Sequence, residues 1–264
     1  MSAVTLWVDE KIDDKDEKGE KGEKGTADEP LVVLLHGLGH TGEVWRPVIE
    51  VLPASADWLV VDLPGHGRSP WLEQYWFDGV ASEVAAVLPA DRPVLAVGHS
   101  YGGVVALALA SVRPAVTGVL GFGIKVAWSD DDLAALRARA ARPPKVFPGD
   151  GEARAAFVRF AGLDGLVDPD SDLAASGVTA VEGGYRLAAD PQTMAVAVPD
   201  MPALLAGAAA AGSRVLLARG EGDHMVSAEQ LRAVDQDTVV VPGVGHNPHV
   251  THPRLIVDLI ARLA

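Results

Sequence analysis

The stretch Gly98-His99-Ser100-Tyr101-Gly102-Gly103 places a serine between glycines, directly after one apolar segment and directly before another. This pattern predicts that the chain passes from strand to helix within one residue, which holds the Ser100 hydroxyl at the end of a sheet. At the start of that helix the Tyr101 amide would point outward, where a developing anion would be stabilised. These residue types suit nucleophilic attack on a carbonyl carbon. The simpler interpretation is a serine that only caps a helix.

A serine hydroxyl reacts well only when a base takes its proton and a third group orients that base. The segment RGEGD (219–223) follows one predicted strand, and PGVGH (242–246) follows the next. A serine, an acid and a histidine therefore occur in the chain order expected for a nucleophile elbow and its partners. Glu221 and Asp223 are alternative acids within the first segment, and His246 is the candidate base. Asp235 and Asp237 lie in a predicted surface turn and are further alternatives to Asp223 as the acid.

The elements that must position these residues alternate between strand and helix. Continuous apolar segments at 31–35 and 94–97 are typical of parallel strands covered on both faces. We expect further strands at 58–62 and 116–122, and helical patterns separate the four segments. The sequence therefore predicts an α/β fold. We expect a mostly parallel twisted sheet of about eight strands with helices on both faces, and a first edge strand at 5–8. In such sheets, sites form at the carboxyl ends of the strands.

Two regions depart from this alternation. Residues 9–29 carry ten acidic residues and five lysines with one branched apolar residue, which predicts a charged mobile loop. Residues 129–201 combine helical segments with proline, glycine and aspartate, and we expect a helical cap insertion over the strand ends. The core would then comprise 1–128 and 202–264. Trp128, where core passes into cap, is a candidate substrate-binding residue.

Composition limits the partners of this chain of 264 residues. The net charge of −14 argues against binding to nucleic acid or to anionic membranes. The absence of cysteine excludes thiolate chemistry, and no basic segment followed by an apolar one stands at the N-terminus. We therefore expect a cytoplasmic protein that acts on a small molecule. The sequence does not indicate an oligomeric state.

Five segments, read together, resemble the α/β-hydrolase fold superfamily of the capped serine esterase or lactonase type. They are HGLGHTGEVW (36–45), DLPGHGRS (62–69), GHSYGG (98–103), RGEGDHMV (219–226) and GHNPHVTHP (245–253). The resemblance covers about residues 31–128 and 202–264. It implies Ser100 as nucleophile, His246 as base and Asp223 as acid, with the amides of Leu38 and Tyr101 as the oxyanion hole. It implies no cofactor and no metal.

The resemblance leads us to expect a serine hydrolase that cleaves a carboxylic ester of a small neutral or hydrophobic substrate through an acyl-enzyme. Serine at position 100 argues against the relatives with an aspartate nucleophile, the dehalogenases and epoxide hydrolases. A lactonase, for example one that opens acyl-homoserine lactones, and a carbon–carbon bond hydrolase use the same residues. A ligand-binding protein of the same fold is a further alternative. The sequence does not determine the substrate.

The remaining histidines are expected to have structural roles. His36, His66 and His99 lie in or beside tight turns, where a histidine commonly binds backbone groups and shapes the loop. His246, His249 and His252 are close enough in sequence to suggest a metal cluster. No carboxylate-rich partner motif accompanies them, so we predict no metal site there.

Overall fold

Branched apolar residues fill the central strands of the structure, a computed structural model in which residues 5–12 and 29–263 are described. Side chains of Leu31, Val33 and Leu35 enter one apolar cluster, whereas those of Val32 and Leu34 enter a second cluster on the opposite face. A strand that is buried on both faces must be apolar at every position, which explains the continuous runs. The strands are β1 (Val8–Lys11), β2 (Leu31–Leu35), β3 (Trp58–Val61), β4 (Val94–His99), β5 (Val116–Phe122), β6 (Val178–Val181), β7 (Gly184–Leu187), β8 (Arg214–Gly220) and β9 (Val239–Val241).

Seven of these strands form one sheet in the order β1-β3-β2-β4-β5-β8-β9. All neighbouring pairs are parallel except β1 with β3, which is antiparallel. The carboxyl ends of β4, β8 and β9 therefore lie along the same edge of the sheet. The segments that follow these three strands contain Ser100, Asp223 and His246 respectively.

Helices cover both faces of the sheet. They are α1 (Arg46–Ile49), α2 (Phe77–Ala86), α3 (Tyr101–Val112), α4 (Asp130–Ala140), α5 (Asp150–Phe160), α6 (Asp172–Ser176), α7 (Met201–Ala210), α8 (Ala228–Arg232), α9 (Pro248–Thr251) and α10 (Pro253–Ala261), with short 3₁₀ helices at Gly42–Trp45 and Pro191–Ala195. One face packs against α2, α3, α7 and α8, and the other packs against α1, α5 and α10. Among the helices that the structure describes, none combines the length and the apolar character needed to cross a bilayer.

The segment between β5 and α7 is more varied than the helical insertion that the sequence predicts. It contains α4, α5 and α6, and also the antiparallel hairpin β6–β7, which forms a separate two-stranded sheet. Glu182 and Gly183 make the hairpin turn, and Gly183 and the first residue of β7, Gly184, have φ of 84° and 147°, values that favour glycine. At the start of α4, the Ser129 side chain accepts from the Asp132 amide at 3.1 Å, which completes a capping box with the Asp132 carboxylate.

Two expectations need correction at the N-terminal edge. The first strand is Val8–Lys11 and not 5–8, so residues 9–11 of the expected charged loop belong to β1. An edge strand leaves one side to solvent and tolerates charged residues, so it lacks the apolar pattern on which the prediction depended. Residues 13–28 of that loop lie outside the described residues. The main sheet has seven strands within 5–12 and 29–263, where about eight were expected.

Candidate active site

The turn between β4 and α3 holds Ser100 in a strained conformation. Its φ of 50° and ψ of −114° make it the one non-glycine residue with positive φ in the part of the chain that the structure describes. A Cβ at Gly98 would lie 2.2 Å from the Gly102 oxygen, and a Cβ at Gly102 would lie 2.3 Å from the Leu35 oxygen. Only glycine fits at either position, which is the physical reason for the Gly-x-Ser-x-Gly spacing.

Backbone hydrogen bonds fix this turn to the sheet. The Ser100 amide donates to the Phe122 oxygen of β5 at 2.7 Å, and the Ser100 oxygen accepts from the Gly103 amide at 3.0 Å. The Ser100 side chain faces a cavity that His246 also lines. Within the described residues, no hydrogen bond joins the Ser100 hydroxyl to His246. Contacts of this kind commonly tighten only when substrate binds.

The histidine and the acid that the sequence predicts are in direct contact. His246 Nδ1 lies 2.9 Å from Asp223 Oδ2, and the Asp223 carboxylate is fully buried. The other carboxylate oxygen accepts from the Met225 amide at 2.8 Å, and the Arg219 guanidinium donates to the Asp223 backbone oxygen at 2.6 Å. A carboxylate only accepts, so Nδ1 carries the proton and His246 Nε2 keeps a lone pair. Glu221, the alternative acid, is exposed and accepts from the Gly243 amide.

Two backbone amides at the cavity have no internal acceptor. Leu38 and Tyr101 both line the cavity, and neither amide donates to another group in residues 5–12 and 29–263. The Leu38 turn is closed by a hydrogen bond from the His40 amide to the Gly37 oxygen at 3.0 Å. The Tyr101 amide stands at the N-terminus of α3, where the helix dipole adds positive potential. Both amides are therefore available to a negatively charged oxygen near Ser100.

The cavity above Ser100 has a volume of about 420 Å³ and a mostly apolar lining. Trp128 lies in its wall, as do Phe160 and other side chains from the segment between β5 and α7. Lys125 is neutralised by Asp132 at 2.9 Å and lies 4.8 Å from the Trp128 ring centre. A larger and more open groove of about 1000 Å³ lies elsewhere and contains none of the predicted site residues.

The three loop histidines bind backbone groups, as predicted. His36 Nδ1 contacts the Gly37 oxygen at 2.8 Å and His36 Nε2 accepts from the Leu63 amide at 2.9 Å. His66 Nδ1 lies 3.1 Å from the Pro64 oxygen, and His99 Nε2 lies 2.9 Å from the His246 oxygen. Burial lowers the pKa of His66 to about 4 and holds the pKa values of the other two well below the usual range. All three are therefore neutral at pH 7.

Two more buried histidines lie near the site: His40, which sequence reasoning missed, and His249, which it had grouped with His246 and His252. His40 Nε2 contacts the Ala161 oxygen at 2.7 Å, and His249 packs against His99 and Trp45. One ligand atom of each of His40, His99 and His249 lies within 4.8 Å of the others. These residues come from three segments that are far apart in the chain, so no local spacing could have grouped them. The set suggested by sequence proximity, with His246 and His252, is not the one that the fold brings together.

Comparison with known proteins supports the arrangement of the fold. The model described as the Alpha/beta hydrolase family matches residues 32–259. Lipase LipV of Mycobacterium tuberculosis is 42% identical over 85 residues, which are 31% of this chain and 32% of the lipase. A pimeloyl-[acyl-carrier protein] methyl ester esterase of Aeromonas hydrophila is 42% identical over 87 residues, 32% of this chain and 34% of the esterase. The chain thus spans about a third of the length of these curated relatives.

A solved structure extends the similarity to almost the whole chain. The structure of E-2-(acetamidomethylene)succinate hydrolase superposes with a TM-score of 0.77 at 26% sequence identity. The superposition covers 99% of this chain and 96% of that one.

Proposed function

The chain belongs to the alpha/beta hydrolase family, and from this premise we propose that it is a serine hydrolase that cleaves a carboxylic ester of a small neutral or hydrophobic substrate. The observation that carries the proposal is the strained Ser100 in the same cavity as the His246–Asp223 pair. The names of the two curated relatives, a lipase and a methyl ester esterase, support ester hydrolysis as the reaction.

Ser100 and His246 carry the first half of the reaction. As the Ser100 oxygen attacks the ester carbonyl carbon, His246 Nε2 takes the hydroxyl proton. Asp223 holds the imidazole in the required tautomer through Nδ1 and stabilises the imidazolium that forms. The tetrahedral oxyanion accepts from the Leu38 and Tyr101 amides, each of which contributes about 3 kcal/mol to transition-state stabilisation in comparable sites. His246 then protonates the departing alcohol.

Water completes the cycle. His246, which is neutral again after the alcohol leaves, takes a proton from a water molecule that attacks the acyl carbon. The same two amides hold the second oxyanion, and collapse of this intermediate returns the proton to Ser100. The acid product is released and the enzyme is regenerated. Each proton transfer is made by the chain's own residues.

Residues 129–201 act in this proposal as a cap that selects the substrate. Phe160, Met194 and Trp128 at the cap boundary narrow the cavity beside Ser100. Two buried hydrogen bonds join the cap to the core. Tyr75 Oη donates to the Asp190 carboxylate at 2.7 Å, and His40 Nε2 donates to the Ala161 oxygen. The volume of about 420 Å³ and the apolar lining favour a short acyl chain.

The test is ester turnover by the wild-type protein and the Ser100→Ala variant over a series of p-nitrophenyl esters of increasing acyl length. We expect the wild type to prefer short chains, and the variant to lose about 10⁶-fold in kcat, as in other hydrolases that lose the nucleophile. His252→Gln, which changes an exposed histidine, is the matched control. Full turnover by Ser100→Ala would overturn the proposal. A lactone arm, in which ring opening yields acid without alcohol, separates ester from lactone substrates.

A further inference from the structure

Three buried histidines form a cluster behind the proposed catalytic residues. His40 follows β2, His99 ends β4 and His249 lies in α9, and their exposed fractions are 3%, 1% and 0%. The His99 and His249 ring centres are 4.3 Å apart, and His40 lies 5.5 Å from His99 and 5.9 Å from His249. One nitrogen of each ring lies within 4.8 Å of the others.

The hydrogen bonds of His40 and His99 fix which nitrogen carries the proton. His40 Nε2 lies 2.7 Å from the Ala161 oxygen, and His99 Nε2 lies 2.9 Å from the His246 oxygen. A carbonyl oxygen only accepts, so each Nε2 donates and each Nδ1 is left with a lone pair. Both Nδ1 atoms are buried and have no hydrogen-bond partner in the described part of the chain. This is the arrangement of metal-binding histidines, whose outer nitrogen donates to a backbone carbonyl.

His249 supplies the third lone pair. Neither of its nitrogens has a partner among residues 5–12 and 29–263, so whichever tautomer it adopts presents one unprotonated nitrogen. An imidazole binds a metal ion through the nitrogen that carries no proton, so each of the three rings offers one ligand atom.

We propose that His40, His99 and His249 form a binding site for a divalent transition-metal ion, with Zn²⁺ as the best match. Three imidazoles without a hard oxygen ligand suit Zn²⁺, Cu²⁺ or Ni²⁺ and not Mg²⁺ or Ca²⁺. Tetrahedral Zn–N bonds of about 2.05 Å place the nitrogens about 3.4 Å apart, so nitrogens that now lie within 4.8 Å of one another approach by up to about 1.4 Å on binding. His40 and His99 border the cavity of Ser100, so the ion would enter from that side.

The site is coupled to the proposed base through His99. The His99 ring centre lies 4.7 Å from that of His246, and His99 Nε2 holds the His246 backbone oxygen. When His99 moves toward the metal, His246 loses its position beside Ser100. The bound ion therefore inhibits ester hydrolysis, and this second part of the inference rests on the proposed function. The first part, that the ion binds to the three histidines, is independent of the proposed function.

Binding is tested without substrate, by calorimetric titration of the wild-type protein with Zn²⁺ and by the visible absorption of Co²⁺. We expect one site per chain and a four-coordinate Co²⁺ spectrum. His249→Phe and His40→Phe should each weaken Zn²⁺ binding by more than about 100-fold. Loss of a residue that only hydrogen-bonds to a metal ligand weakens binding by about 10- to 100-fold, so a larger loss indicates a direct ligand. His224→Gln and His252→Gln, which change exposed histidines outside the cluster, should bind as the wild type does. Unchanged affinity in His249→Phe, or loss in His224→Gln, would overturn the proposal.

A second measurement requires no variant. Anomalous scattering at the zinc edge from soaked wild-type crystals should give a peak about 2.1 Å from a nitrogen of each of His40, His99 and His249. A peak only at His246 or at surface carboxylates would refute the site. Zn²⁺ should also inhibit ester turnover, and the Zn²⁺ concentration that gives half-maximal inhibition should equal the dissociation constant measured by titration. Binding at the cluster with undiminished turnover would refute the coupling to His246 and leave the proposed hydrolase activity intact.

Discussion

Acidification from pH 7 to pH 5 should destabilise the fold by about 4 kcal/mol through two buried histidines alone. Burial lowers the pKa of His40 and of His66 to about 4, whereas a histidine in the unfolded chain titrates near 6.5. Between these values the unfolded state binds more protons, so the free energy of unfolding falls as the pH falls. At pH 5 each of the two sites contributes a loss of about 2 kcal/mol.

Three further histidines act in the same direction. Burial holds the pKa values of His36, His99 and His249 well below the usual range, so these rings also resist protonation in the folded state. A native domain is stable by about 5–15 kcal/mol, so the combined effect removes much of the stability by pH 5. The stability that the five neutral rings contribute is fully present above about pH 6.5 and decreases below it.

Urea unfolding, followed by far-ultraviolet circular dichroism at pH 7, 6 and 5, measures this effect. The urea concentration at the unfolding midpoint should fall at each step of pH, while the slope of the unfolding free energy against urea concentration stays constant. In His66→Gln, the difference in unfolding free energy between pH 7 and pH 5 should shrink by about 2 kcal/mol. His252→Gln, an exposed position, should keep the wild-type difference. A stability that is flat from pH 7 to pH 5 would refute the reasoning.

Three substitutions test single contacts. Asp223→Asn should lower kcat by about 10⁴-fold in steady-state kinetics because the amide no longer orients the base, and an unchanged kcat would count against the pair. Gly102→Ala should abolish a cooperative thermal transition, since its Cβ would lie 2.3 Å from a carbonyl oxygen of β2; the control Gly149→Ala, with nothing within 4 Å, should melt normally. Tyr75→Phe should lower the free energy of unfolding by about 1–3 kcal/mol because the carboxylate of Asp190 loses a buried donor. An unchanged urea midpoint would contradict that expectation.

The centre of the fold could be predicted because its signals are local. Leu31–Leu35 has the bounds that its continuous apolar residues predict, and the strand Val116–Phe122 also lies where the sequence predicts one. The turn at Ser100 followed from the glycines beside it, whose steric role lies within a few residues. The edge strand Val8–Lys11 was misplaced because its charged residues face solvent and carry no apolar pattern.

Features that depend on tertiary contacts could not be predicted in the same way. The hairpin Val178–Leu187 lies within an alanine-rich segment, and the glycine pair at its turn was the one signal that could have revealed it. The packing of His40 and His249 against His99 brings together a loop, the end of β4 and α9, which meet only after the sheet has formed. No spacing along the chain indicates this contact.

The central claim, that Ser100 is a nucleophile activated by His246, is tested most directly by reaction with a fluorophosphonate probe followed by peptide mass spectrometry. The native protein should take up one probe per chain on the peptide that contains Ser100. Ser100→Ala and the urea-unfolded wild type should take up none. A native protein that hydrolyses esters while Ser100 stays unlabelled would contradict the account.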